Sequence, residues 1–174
     1  SIFDDFFESY SNANKTLIAP GSKIQVKPLP GSKPASFSGT VGNLTMNSSI
    51  SSENVKANEA ITLKIVISGS GNMKMIKNPE IKFPDGFETY DPKVVNNFKT
   101  STSGVSGTKI IEYMFIPRHS GEYEIPEAEF SYFDIVTHTY KTLKTPNYKI
   151  KVAKGEGGES PVVSGNYVSK EDVK

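Results

Sequence analysis

Two histidines, His119 and His138, are the side chains best suited to acid–base or metal chemistry, and each has a carboxylate close by in the chain, Glu122 and Asp134. A metal site needs three or four converging ligands, and the sequence has neither the H-x-H nor the H-E-x-x-H spacing that would bring them together on one strand or helix. The histidines therefore read as an exposed turn residue and an exposed strand residue. Serine chemistry fares no better, because Ser68-Gly69-Ser70-Gly71 and Gly104-Val105-Ser106-Gly107 lie in polar stretches with no strand-to-helix elbow to sharpen a nucleophile. Gly69 and Gly71 do not read as a phosphate cradle either, since no helix follows whose N-terminus could hold the anion. With no cysteine, a disulfide framework and a thiolate metal site are both excluded. No catalytic residue, cofactor or metal is expected, and the chain reads as non-enzymatic.

The aromatic residues offer a different chemistry. Phe130, Tyr132 and Phe133 cluster on one stretch with Tyr140 across a hairpin, an arrangement that could stack sugar rings. Consecutive strand residues point to opposite faces, so at least one of Tyr132 and Phe133 belongs to a core. Packing is the favoured reading, and a glycan-binding or adhesin module stays as the alternative.

Charge narrows the classes further. Lys and Arg total 20 against 19 Asp and Glu, a net charge of +1, so no basic field exists to gather nucleic acid or anionic lipid. No apolar run approaches the roughly 20 residues that cross a bilayer, and no membrane contact is expected of this stretch itself.

What positions these residues is a series of short strands. Ile61, Leu63, Ile65 and Ile67 alternate with Thr62, Lys64, Val66 and Ser68, the pattern of a strand with one face on a core and one in water. Further strands are expected at 41–50, 80–83, 87–90, 94–99, 108–116, 122–134, 138–143 and 148–152, with a flexible connection at 100–107. Residues 110–116 are apolar on both faces, which predicts a central strand. Gly121-Glu122-Tyr123 has the spacing by which a tyrosine hydroxyl pins a turn in immunoglobulin-like sandwiches. The expectation is an all-β, Ig-like Greek-key β-sandwich over residues 40–153. Residues 1–31 read as the remnant of a preceding β domain, with a short helical turn near Phe3, Phe6 and Phe7. Residues 32–39 read as a linker and 154–174 as a solvated tether. The alternation at 23–27 predicts an orphaned strand that folds back or pairs with a second copy in a strand-mediated dimer.

Several runs carry a family likeness: Val41-Gly42-Asn43-Leu44-Thr45, Ile67-Ser68-Gly69-Ser70-Gly71-Asn72-Met73-Lys74, and Phe87-Glu88-Thr89-Tyr90-Asp91-Pro92-Lys93. The most telling is Ile116-Pro117-Arg118-His119-Ser120-Gly121-Glu122-Tyr123-Glu124-Ile125-Pro126, followed by Phe130-Ser131-Tyr132-Phe133-Asp134. In these the chain resembles the BatD, or oxygen-tolerance, family of Bacteroides-type bacteria. The resemblance implies an Ig-like ectodomain on the periplasmic side of the inner membrane, anchored by a segment outside this stretch and linked to aerotolerance or envelope stress. It implies partners bearing von Willebrand A-type and TPR domains, and it supplies no catalytic residues. A protein-interaction or scaffold module is therefore expected. Its candidate surfaces are the loop at 69–78, with Met73 and Met75, and the corner at 118–121, with Arg118 and His119.

Overall fold

The computed structural model describes residues 14–156, so the helical turn expected near Phe3 and most of the expected tether lie outside the described residues. The chain divides into two units, residues 1–31 and 32–174. In the first, residues 14–31 hold no regular element. The strand expected at 23–27 does not form: Ile24 and Val26 are 86% and 87% exposed, so the alternation there has no core to face.

The second unit is an Ig-like β-sandwich with ten strands among its described residues: β1 (Phe37–Ile50), β2 (Asn54–Lys56), β3 (Ile61–Gly71), β4 (Phe87–Thr89), β5 (Lys93–Ser101), β6 (Gly104–Pro117), β7 (Gly121–Ile125), β8 (Glu129–Asp134), β9 (Thr139–Lys144) and β10 (Tyr148–Ala153). One sheet has seven strands in the order β4-β6-β3-β1-β8-β9, with β5 also paired to β6; the other has three, β2-β10-β7. Strand β1 opens at Phe37, inside the stretch read as linker, because Phe37, Val41 and Gly42 pair in parallel with β8.

The alternation of β3 is realised as expected. Ile61, Leu63, Ile65 and Ile67 are at most 1% exposed, and they pack with Ile111 and Phe115 of β6 and with Ile150 and Val152 of the facing sheet. Each such side chain stabilises the fold by roughly 1.5–3 kcal/mol relative to exposure. Three strands cannot cover seven, and loop residues Met73, Ile76, Ile81 and Phe83 join the core cluster. This explains why residues 80–83 are not a strand. The loop lies across β6, where the Tyr113 hydroxyl donates to the Pro79 carbonyl at 2.5 Å, Lys109 Nζ donates to the Ile76 carbonyl at 2.6 Å, and Phe83 packs on Phe115.

Two further expectations are corrected. Residues 100–107 are not a flexible connection but the tip of a β5–β6 hairpin whose ladder runs unbroken to Ser101 and Gly104. The strand expected at 122–134 is two: β7 belongs to the smaller sheet and β8 to the larger, to which β6, before the corner at 117–121, also belongs. The corner carries the chain between layers. There the Tyr123 hydroxyl donates to the His119 carbonyl at 3.0 Å, and the ring packs edge-on against Phe87 with centroids 4.9 Å apart. Gly121 suits the place beneath that ring, since it takes φ 156° and a Cβ there would crowd two ring carbons at 3.3 Å.

Tyr123→Phe should keep the ring packing, lose the hydroxyl bond and cost about 1 kcal/mol, whereas Ile65→Ala should cost about 2–5 kcal/mol. Urea unfolding followed by tyrosine fluorescence checks both. An Ile65→Ala loss no larger than that of Tyr123→Phe would contradict a core centred on the β3 isoleucines.

Candidate interaction surface

The residues with chemical potential do not converge. His119 sits on the corner after β6 and His138 ends the turn between β8 and β9, where it takes φ 56°. Among the described residues no group of three His, Asp or Glu side chains is placed to hold a metal ion. Asp134 is a structural carboxylate. It is 1% exposed, accepts from the Val136 and Thr137 backbone N–H groups at 2.7 and 3.2 Å, and pairs with Lys141. The hydrogen bond from Lys141, then those backbone donors, hold its pKa down to about 2. Ser68 is also committed, its hydroxyl 3.1 Å from that of Thr108.

The aromatic platform faces inward. Phe130, Tyr132 and Phe133 are at most 6% exposed, with the Tyr132 hydroxyl donating to the Leu44 carbonyl at 3.1 Å. Phe133 packs on the opposite face of the sheet, where Tyr140 stands edge-on to both Phe133 and Phe37. Both faces of β8 are thus filled by protein, and no row of rings is presented for a sugar.

Two of the four interaction candidates are already used by the fold. Met73 opens a single 3₁₀ turn (Met73–Met75) and is 1% exposed, because it fills the part of the core that the smaller sheet leaves uncovered. Met75, at the end of that turn, is 51% exposed. Arg118 is tied down within the domain: Nε donates to Glu88 Oε2 at 2.9 Å, Nη2 donates to the same oxygen, and Nη1 donates to Asn58 Oδ1 at 2.9 Å. Hydrogen bonds first from the Tyr90 hydroxyl and then from Arg118 lower the Glu88 pKa. Arg118 therefore braces the corner rather than standing ready for a partner. His119 is exposed beside it.

The surface that stands out lies elsewhere. On the outer face of the larger sheet, opposite to buried Ile65 and Ile111, cross-strand register aligns Val66, Ile110 and Val95 in one row. The next row reads Lys64, Glu112 and Lys93. Beyond it lies Met114, whose carbonyl accepts from the Tyr90 N–H at 3.2 Å, and then Ile116 opposite Glu88. Tyr90, Val95 and Met114 are 42%, 40% and 41% exposed, so three large apolar side chains share one open face with ordered charges. Met and aromatic residues are the types enriched where proteins dock. The signal is present in the sequence as apolar residues on the outer side of the alternation: Val66 on the face expected to meet water, and Ile110-x-x-x-Met114-x-Ile116 on a strand expected to be apolar on both faces.

A family model described as a BatD DUF11 like domain matches residues 48–152, from the last residues of β1 almost to the end of β10. The chain belongs to the BatD family. No curated protein matches it significantly. The BatD match includes all of β3, β5 and β6, so the open face is part of the family domain. Family membership points to an envelope-associated module. No helix among the described residues is long and apolar enough to cross a membrane.

The depressed pKa of Asp134 gives a pH signature. Its stabilisation is complete above the ordinary carboxylate value near pH 4 and is lost as pH falls from there towards about 2. Melting temperatures measured from pH 6 to pH 2 should drop in that window for the natural chain, and Asp134→Asn should melt lower at neutral pH with a shallower acid decline. Parallel curves would assign the acid sensitivity to other carboxylates.

Proposed function

We propose that this BatD domain is a non-enzymatic protein-interaction module, the periplasmic ectodomain of a membrane-anchored protein that scaffolds an envelope assembly linked to aerotolerance or envelope stress. Its partners are envelope proteins with von Willebrand A-type and TPR domains, as the family likeness implies. They dock on the outer face of β3, β6 and β5.

One observation carries the choice of surface: Tyr90, Val95 and Met114 lie exposed together on a rigid sheet face, beside a row of alternating charge. A sheet holds such groups in place with little ordering cost, which is what a docking surface needs. Of the surfaces first considered, the Met73 loop is anchored in the core and the Arg118 corner is spent on Glu88 and Asn58, so neither offers an equivalent set.

The test is capture of envelope proteins on the immobilised chain, comparing the natural sequence with a Val95→Glu/Met114→Glu variant whose unfolding midpoint is checked first. Capture of von Willebrand A-type or TPR proteins should fall at least about tenfold in the variant, since central apolar anchors commonly carry that much binding energy. Undiminished capture by a folded variant would remove this face from the proposal.

A further inference from the structure

Strand β5 is the long unpaired edge of the larger sheet. It runs nine residues, pairs only with β6 among the described residues, and keeps unbroken register from Lys93 opposite Glu112 to Ser101 opposite Gly104. Edge strands are normally blunted by shortness, proline, bulges or charge, because their free N–H and C=O groups template another strand. Three other edges of the sandwich follow that practice. β4 and β2 have three residues each, and β9 carries Lys141 and Lys144, locked to Asp134, Glu127 and Glu129. β5 has no proline and no bulge, carries charge only at Lys93 and Lys99, and of its residues only Phe98 is less than exposed.

The rows that end on β5 say what would fit next. Opposite charges directly across adjacent strands attract, and like charges repel. Lys64, Glu112 and Lys93 run positive, negative, positive, so the place beyond Lys93 calls for a carboxylate. Val66, Ile110 and Val95 call for a β-branched side chain. Ser68, Thr108 and Asn97, whose first two hydroxyls already touch, call for a hydroxyl. The last row, Ser70, Ser106 and Lys99, calls for a second carboxylate.

We propose that the edge of β5 binds an extended acidic strand from a partner protein, adding it antiparallel as a further strand of the larger sheet, with the pattern acid-x-hydroxyl-x-β-branched-x-acid. Main-chain bonds supply affinity in this mode and the alternate side chains supply specificity. A second copy of β5 does not meet the pattern, since KVVNNFKTS contains no acidic residue. The proposal rests on reading this sheet as the docking surface, and the two fail separately: the capture test addresses the face, and a peptide test addresses the edge.

The experiment titrates the 174-residue chain into a fluorophore-labelled peptide Glu-Val-Thr-Thr-Ile-Val-Glu, with Lys-Val-Thr-Thr-Ile-Val-Lys as control, while hydrogen exchange follows the β5 amides. The acidic peptide should bind and slow exchange along β5. Lys93→Glu/Lys99→Glu should weaken it about tenfold and shift preference to the basic peptide. Equal binding of both peptides, binding of neither, or binding without protection of β5 would overturn the proposal. So would concentration-dependent self-association that protects β5 without peptide, which would assign the edge to a second copy.

Discussion

The hydrogen bond from the Tyr123 hydroxyl to the His119 carbonyl holds the point at which the chain leaves one sheet and enters the other. Everything on either side depends on that crossing. β6 ends at Pro117 in the larger sheet, and β7 begins at Gly121 in the smaller, leaving three residues to turn between layers. A turn so short must satisfy its backbone locally. The Arg118 N–H donates to Gly86, the Pro117 carbonyl accepts from Asn58, and the Arg118 side chain ties both neighbouring segments to the corner. With the crossing fixed, Ile125 and Ile150 meet the β3 isoleucines across the core.

The imbalance between the sheets has two results. Inside, the uncovered part of the larger sheet is closed by the loop from Met73 to Phe83, and polar groups of β6 buried beneath it find carbonyls there. Tyr113 is an example: burial raises its pKa to about 12, and its hydroxyl uses Pro79. Burial likewise lowers the pKa of Lys109, which donates to Ile76. An unpaired polar group at either place would cost roughly 1–3 kcal/mol, so the loop is tied to β6 by more than its apolar side chains.

Outside, nothing among the described residues covers the far face of β3, β6 and β5. Tyr90 remains exposed although its hydroxyl joins Glu88 and, through it, Arg118. The corner that organises the fold and the open face proposed for docking are therefore mechanically continuous through one short chain of hydrogen bonds.

The sequence by itself determined the elements that follow from local rules. Period-two alternation marked β3 and β10, glycine and proline marked the turns, and the Gly121-Glu122-Tyr123 spacing marked the corner and with it the sandwich class. It also pointed to the family. What it could not decide is which side of a doubly apolar strand meets solvent, because Ile110, Glu112, Met114 and Ile116 look the same whether a second layer lies over them or not. Nor could it tell that Met73 would plug the core, that Arg118 would be spent on Glu88, or that Phe130, Tyr132 and Phe133 would turn away from water on both faces of β8. Those outcomes depend on how many strands each sheet recruits. Sheet membership is set by contacts between residues far apart in the chain, and local pattern carries no record of it.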